Sequence, residues 1–508
     1  MFKMDRRAFL TSAGTAGGLA LLPPHLASAQ GASPLLRVGT RTIEVNRKPA
    51  TVFQVAGPGG RSGILAREGD RFKGTVFNDT AEPLQMHWHG QVLAPHDQDR
   101  ARPDGGMLAA GQSDTHDFEL TPGTHWMHSH TLSEQQLLAA PMVTLEKNSG
   151  DVQEIVVMLH DFAFRSPQEI LAELGGTDAH AGHSSMPPQR ASSGRGNGHA
   201  GHGSMHHGSG HGPGHGSGHG PGHGPGHGSG HGPGHGHMMG MMHANDVRYD
   251  AYLTNDRTLD DPETIQVDKG GRVRLRIING GTATAFFIST PGLKTSVVAV
   301  DGSACKPFSS TSYPLAQGQR IDLLAQIPNQ GGTFPLLAQV EDAQFVTGVI
   351  LATAGSKVAK VNTTAQRKAG MLDLTLDRQL TATKPLAARP SDKRFMAMLG
   401  EQPNYRWTIN GKIHGEHEAF RVRQGERVEI TFMNPTSMMH PMHLHGHHFQ
   451  VIAIGHQRIS GPMRDTVIVP AHMPVTIAFD AEHKGAWFLH CHHLYHMATG
   501  MMTEVVVV

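Results

Sequence analysis

Three short segments share a pattern that limits the fold more than any other feature of the chain. Glu68-Gly69-Asp70-Arg71, Lys269-Gly270-Gly271-Arg272 and Gln424-Gly425-Glu426-Arg427 each open an alternating or β-branched run that ends in Asn, at Asn78, Asn279 and Asn434. A turn-plus-strand unit cannot bury its apolar face alone, so three copies predict three related sandwiches. From about Leu35 onward the runs stay short and are punctuated by Gly, Pro, Asn and Asp, as in Arg71–Phe77, Arg272–Ile278, Arg427–Phe432 and Val505–Val508. Such runs predict antiparallel β-sheet. One helix is predicted, from Ser166 to Leu174. The expected class is all-β, with domains at 30–150, 151–358 and 396–508 and a polar linker at 359–395. A length of 508 residues accommodates that number of cores.

Charge and cysteine content narrow the function. With 43 basic and 43 acidic residues the formal net charge is zero, which leaves no electrostatic footprint for nucleic acid. The two cysteines, Cys305 and Cys491, allow at most one disulfide, so the fold is not a disulfide scaffold. Residues 1–29 carry Lys3, the pair Arg6-Arg7 before Phe9-Leu10, a weakly apolar run and Ala27-Ser28-Ala29, which reads as a twin-arginine export signal. No other segment is apolar over the length needed to span a bilayer, so a periplasmic protein without membrane insertion is expected. A monomer is expected.

Histidine is the anomaly. Of 38 His, 15 lie between residues 177 and 243, where the composition collapses to Gly, His, Pro, Ser and Met and closes on Met238-Met239-Gly240-Met241-Met242-His243. Such a segment cannot bury enough apolar surface to offset chain entropy, so a disordered insertion in the second domain is expected. Imidazole and thioether together suit copper, and the insertion reads as a copper-collecting arm. Much of the remaining His falls into four clusters: His87-Trp88-His89, His128-Ser129-His130, His440-Pro441-Met442-His443-Leu444-His445, and His490-Cys491-His492 followed by His496 and Met501. Residues i and i+2 of a strand share a face, so each His-X-His offers two imidazoles to one site, and Cys491 between His490 and His492 faces a second site. His440, Cys491 and His496 supply a His₂Cys set there, with Met501 placed for a weak axial contact, the ligand set of a blue-copper electron-transfer centre. A Met axial ligand favours easily oxidised donors.

These clusters, in this order at the two ends of a three-sandwich chain, resemble the ligand motifs of the multicopper oxidases, in the bacterial laccase and copper-resistance or copper-efflux oxidase branch. The resemblance covers nearly all of the chain outside the signal and insertion. It implies three cupredoxin-like Greek-key β-sandwich domains and four copper ions. His440, Cys491, His496 and Met501 would bind the type 1 copper and His87 with His443 the type 2 copper. His89, His128 and His492 would hold one type 3 ion, and His130, His445 and His490 the other. The implied activity is oxidation of Cu(I) or small phenolic and aromatic donors, with O₂ reduced to water. Type 1 copper at His440 and Cys491 would receive electrons, and Asp104 would donate protons, with Asp97 and Asp99 as alternatives. The residue after His496 is Met497 where some relatives carry an acid.

Other residues have plainer readings. His125, His447, His448 and His493 fall where the family has no ligand and are expected to hydrogen-bond around the sites or fill the core. Cys305 reads as a small buried hydrophobe, and Asp465 in Arg464-Asp465-Thr466-Val467 as structural. Met438, Met439, Met442 and Met497 either form a Cu(I) docking path, with Met438 first, or fill gaps in the core. Two rival functions remain open: a copper-sequestering protein whose arm is the main activity, and a copper-free relative, which the complete ligand set opposes.

Overall fold

The computed structural model describes residues 35–147, 150–177 and 244–508; the expected signal at 1–29 and nearly all of the 177–243 insertion lie outside the described residues. Among the described residues the strands gather into six sheets, two per sandwich. The strands of the three sandwiches run from Leu35 to Leu145, from Gln153 to Ala352 and from Lys393 to Val507. Among the described residues no helix is long and apolar enough to cross a membrane.

The sequence repeat is also a repeat of topology. Strands Arg71–Asn78, Arg272–Asn279 and Arg427–Met433 each lie third in the same four-strand order. Each runs parallel to one neighbour (Leu35–Val45, Gln153–Phe162 and Lys393–Gln402). Each runs antiparallel to the other (Ser113–Glu119, Arg320–Gln326 and Val475–Asp480). The expectation of antiparallel sheet thus misses two parallel pairs per sandwich, the second in the other sheet (Ile64–Arg67 with Ala139–Leu145, Thr264–Gln266 with Val346–Ala352 and Phe420–Val422 with Met502–Val507), which arise because the chain crosses between sheets before it returns. The glycines that open the repeats have φ of 96°, 69° and 85°, the left-handed conformation that Gly adopts without a Cβ penalty.

The terminal asparagines perform one task three times. Asn78 Nδ2 donates to Glu82 O and Leu108 O, Asn279 Nδ2 to Thr284 O and Leu315 O, and Asn434 Nδ2 to Met438 O and Val469 O, at 2.7 to 3.0 Å. Each Oδ1 accepts the backbone N–H two residues on, from Thr80, Gly281 and Thr436. In the third copy this clamp fixes the loop that delivers His440.

Cores follow the strand alternation: Val273, Leu275 and Ile277 are buried in the second sandwich, and Val428, Ile430 and Phe432 in the third. The segment expected as a linker is pinned between them. Leu372 and Leu374 pack into the third core, while Leu376 and Leu380 pack into the second. The predicted helix is present as Pro167–Glu173, with Ser166 and Glu169 forming a capping box. Two further helices, Thr375–Gln379 and Leu494–Ala498, have five residues each and are too short to leave a periodic signal. Strand Ala251–Thr254 pairs antiparallel with Gln153–Phe162, so the insertion falls in the connection between two adjacent strands.

Candidate metal centre

Strand pairing brings the His-X-His clusters together. Met86–His89 pairs with Gly123–Ser129, setting His87 opposite His128. His440–Leu444 pairs with Gly485–Cys491, setting His443 opposite His490 and Met442 opposite Cys491. The two sheets face each other across the first and third sandwiches. All eight imidazoles (His87, His89, His128, His130, His443, His445, His490 and His492) are buried. His130, His445 and His490 form one group whose nitrogens lie within 4.8 Å of one another, His87, His443 and His445 a second, and His87, His89 and His128 a third. His492 Nε2 lies 3.3 Å from His89 Nδ1.

The hydrogen bonding around these rings shows what the site is built to hold. His443 Nδ1 donates to Asp465 O (2.8 Å), His445 Nδ1 to Ala101 O (3.1 Å) and His490 Nδ1 to Cys491 O (2.9 Å). His87 Nδ1 donates to Asp99 Oδ2 (2.7 Å), and His89 Nε2 to Asp465 Oδ1 (3.1 Å). A carbonyl only accepts, so each outer nitrogen carries the proton and the inner one keeps a bare lone pair. Those inner nitrogens face one another: His87 Nε2 and His443 Nε2 are 3.2 Å apart, and His445 Nε2 and His490 Nε2 3.1 Å apart. Opposed lone pairs repel unless a cation lies between them, and His128 Nε2 is buried with no hydrogen-bond partner at all. Burial and the neighbouring imidazoles hold His130, His443, His445 and His492 well below the ordinary histidine range, which favours the neutral form able to ligate a metal. Burial with His443 and Arg320 does the same for His89. The donor set therefore fits soft to borderline transition-metal cations, copper among them.

The second site lies one residue away in sequence. Cys491 Sγ is 3.7 Å from His440 Nδ1 and 3.8 Å from His496 Nδ1, and those two nitrogens are 3.2 Å apart. Met501 is fully buried, and its N–H donates to His496 O while its carbonyl accepts the Cys491 N–H. Gly500 makes the turn at φ 127°. Burial pushes the Cys491 thiol well up, a shift that a bound cation reverses. Burial and His493 hold His496 down to about 3. The His496 ring is sandwiched between His493 (centroids 3.7 Å) and Trp407 (3.9 Å), and His440 Nε2 lies 2.8 Å from Thr436 Oγ1.

The carboxylates are where the structure departs from expectation. Asp104 is 80 % exposed with its carboxylate on Arg102, and Asp97 is exposed as well. Asp99 is the buried one, bonded to His87, because the 3-10 turn His96–Gln98 brings residue 99 back under the strand. The structure thus brings Asp99, and not Asp104, to the histidines. Glu134 Oε2 lies 3.1 Å from His128 Nδ1. Asp246, three residues past the insertion, places Oδ1 3.2 Å from His493 Nε2 and Oδ2 3.5 Å from His496 Nε2, and accepts a hydrogen bond from the Tyr405 hydroxyl. Burial alone would raise its pKa, but the two histidines hold it well below the usual carboxylate range. No motif marks Glu134, Asp246, Tyr405 or Trp407 in the sequence. Met438, Met439, Met442 and Met497 are all buried, the first three in the third core. None of the four side chains presents itself to solvent, which favours the gap-filling role. Cys305 is buried in the second core, and burial raises its thiol to about 11. His125 lies against Pro122 O and Arg320, His447 against His445 O, and His448 3.7 Å from Asp465.

Three buried-strand sandwiches with a His₂Cys pocket beside an eight-imidazole cluster define a cupredoxin-type protein with two candidate metal sites. Models of the multicopper oxidase family match residues 37–149, 231–358 and 388–508. The chain is similar to multicopper oxidase MmcO of Mycobacterium tuberculosis, with 28% identity over 87% of this chain and 80% of that protein. It is also similar to copper resistance protein A of Escherichia coli, with 23% identity over 100% of both. Among solved structures, Fet3p, described as a multicopper oxidase that functions in iron import, superposes with a TM-score of 0.70 at 16% identity, covering 93% of this chain and 90% of that one. The chain belongs to the multicopper oxidase family. It is an oxidoreductase that uses oxygen, and its family implies copper cofactors.

Proposed function

We propose that the protein couples one-electron oxidation of Cu(I) or of small phenolic donors to four-electron reduction of O₂ to water, in the service of copper tolerance. In this reading His440, Cys491, His496 and Met501 hold a type 1 copper, and His87 with His443 a type 2 copper. His89, His128, His492 and His130, His445, His490 hold the type 3 pair, four ions in all. The domain limits are 30–150, 151–358 and 396–508, and the protein acts in the periplasm after export by the twin-arginine route. Copper, when bound, supplies one-electron redox chemistry and positive charge beside the oxygen being reduced.

The observation that carries the reading is the pair of facing, unprotonated nitrogen contacts in a sealed pocket reached through one tripeptide, His490-Cys491-His492. The chain's own residues do the rest. Acceptors on the outer nitrogens fix the tautomers of His87, His89, His443, His445 and His490, burial keeps water from these rings, and Asp99 holds a proton at His87 Nδ1. On the donor side Asp246 sets a negative charge against the edge of His496, three residues from the end of the His- and Met-rich insertion. That placement supports Cu(I) as the donor, with the insertion as the arm that gathers it; a purely sequestering role gives no reason for a carboxylate there.

Copper counting on purified protein should give four ions. Cys491→Ser should then abolish both the intense visible absorption and donor oxidation while the protein stays folded. Survival of either contradicts the assignment. Oxygen uptake with Cu(I) and with a phenol, before and after deletion of residues 178–243, separates the readings. Cu(I) oxidation no faster than phenol oxidation removes the copper-tolerance role.

A further inference from the structure

The second sandwich supplies none of the twelve proposed ligands, yet one of its turns is wedged against the trinuclear histidines. The turn precedes strand Arg320–Gln326. Gly318, at φ 77°, lies so close to His492 that a Cβ there would sit 2.5 Å from the ring. Gln319 Nε2 donates to Thr466 O at 3.0 Å. Arg320, fully buried, donates through both Nη atoms to the two oxygens of Asp465 at 2.7 and 2.6 Å. Its Nε donates to Thr124 O (3.0 Å) and Nη1 also to Gly318 O (3.0 Å), while Nη2 lies 3.3 Å from His125 Nδ1. One guanidinium thereby ties the first sandwich to the third.

Asp465 is the residue through which this clamp reaches the metal ligands. Its side-chain Oδ1 accepts from His89 Nε2, which leaves His89 Nδ1 bare and facing His492. Its backbone carbonyl accepts from His443 Nδ1, which leaves His443 Nε2 bare and facing His87. A single residue thus fixes the tautomer of one ligand from the first sandwich and one from the third. The carboxylate can do so only while it is held: it is sealed from water, and the planar fork of Arg320 matches both its oxygens. Gly90, next to His89, leaves the room required, since a Cβ there would meet His125 Nδ1 at 2.3 Å, Arg320 Nη2 at 2.7 Å and Asp465 Oδ2 at 3.0 Å. Asp301 secures the arrangement from behind, accepting the Arg320 N–H and a hydrogen bond from Arg464, whose Nε donates to Asp377 in the connecting segment.

We infer that Arg320 is a positioning residue of the trinuclear centre. Acting through Asp465, it sets the ligating tautomers of His89 and His443, so that the metal site between the outer sandwiches is completed only when the middle one is docked. The inference rests on the ligand reading above. It predicts an asymmetry, because the hydrogen bonds and ion pairs of Arg320 go to Thr124, Gly318, His125, Asp301 and Asp465 and none to the residues of the Cys491 pocket.

The test uses the copper-loaded full chain with Arg320→Lys and Arg320→Ala, the latter with and without guanidinium. Read out are copper retained on dialysis against a chelator, the type 2 electron-paramagnetic-resonance spectrum, and the thiolate-copper absorption. Arg320→Ala should lose the trinuclear ions on the order of 10–100-fold more readily, with an altered type 2 spectrum and an unchanged thiolate band, and guanidinium should restore retention. Arg320→Lys, which keeps the charge without the fork, should fold and fall between. Unchanged retention and type 2 spectrum in both variants overturn the inference. Loss of the thiolate band in step with the other coppers also overturns it, since that denotes a merely structural role. A wild-type protein lacking the type 2 signal or the thiolate band would instead refute the ligand reading.

Discussion

Glu341 offers a stability experiment whose sign and size follow from its surroundings. It follows strand Thr333–Val340 in the second sandwich, and its carboxyl accepts the N–H of Leu372 at 2.5 Å. Leu372 in turn packs in the core of the third sandwich, so the carboxyl sits at a joint between the two. The other oxygen is buried with no hydrogen-bond partner. Burial, reinforced by Asp342 and only partly opposed by the Leu372 N–H, pushes the group from 4.5 up to about 7. An acid whose pKa is raised on folding binds its proton more tightly in the native state. The stability it carries is therefore complete below about 4.5 and gone above about 7. The difference corresponds to roughly 3 kcal/mol.

Glu341→Gln keeps the shape and the acceptor but removes the charge, so its stability should not follow this titration. At pH 8 the variant should be the more stable by up to roughly 3 kcal/mol, or about 5 to 10 °C in the unfolding of that part of the chain; near pH 4.5 the two proteins should coincide. Calorimetry at both pH values, on wild type and variant in matched buffers, cancels every other titrating group. An equal pH difference in the two proteins, or a variant less stable at pH 8, would refute the reasoning.

Three further substitutions probe the carboxylates. Asp99→Asn should lower oxygen reduction by ~10–100-fold at saturating donor, because His87 Nδ1 loses its charged acceptor, whereas Asp104→Asn, at an exposed carboxylate, should leave the rate unchanged; oxygen-electrode traces showing the reverse would return the role to Asp104. Asp246→Asn should raise KM for Cu(I) by about tenfold, equivalent to ~1.4 kcal/mol, while a neutral phenol is oxidised nearly as before. Equal losses for the two donors would show that the carboxylate serves His496 alone and does not attract a cation.

The histidine pattern was legible because it is local. Residue type and the two-residue period of a strand place His87 with His89 and His490 with His492 on one face and turn Cys491 to the other, wherever those strands end up. The triplicated Gly–strand–Asn unit was legible for the same reason, since a left-handed glycine and an asparagine that clamps its own loop are short-range devices. What the tertiary structure alone decided is what stands behind each histidine. Asp465 meets His89 across 376 residues and Asp246 meets His496 across 250. The choice of Asp99 over Asp104 depends on one 3-10 turn, and the anchoring of the connecting segment depends on leucines divided between two cores. Covalent periodicity fixes the direction of a side chain along its own strand; which partner it meets is set by how three sandwiches dock, and that is written in no single stretch of the chain.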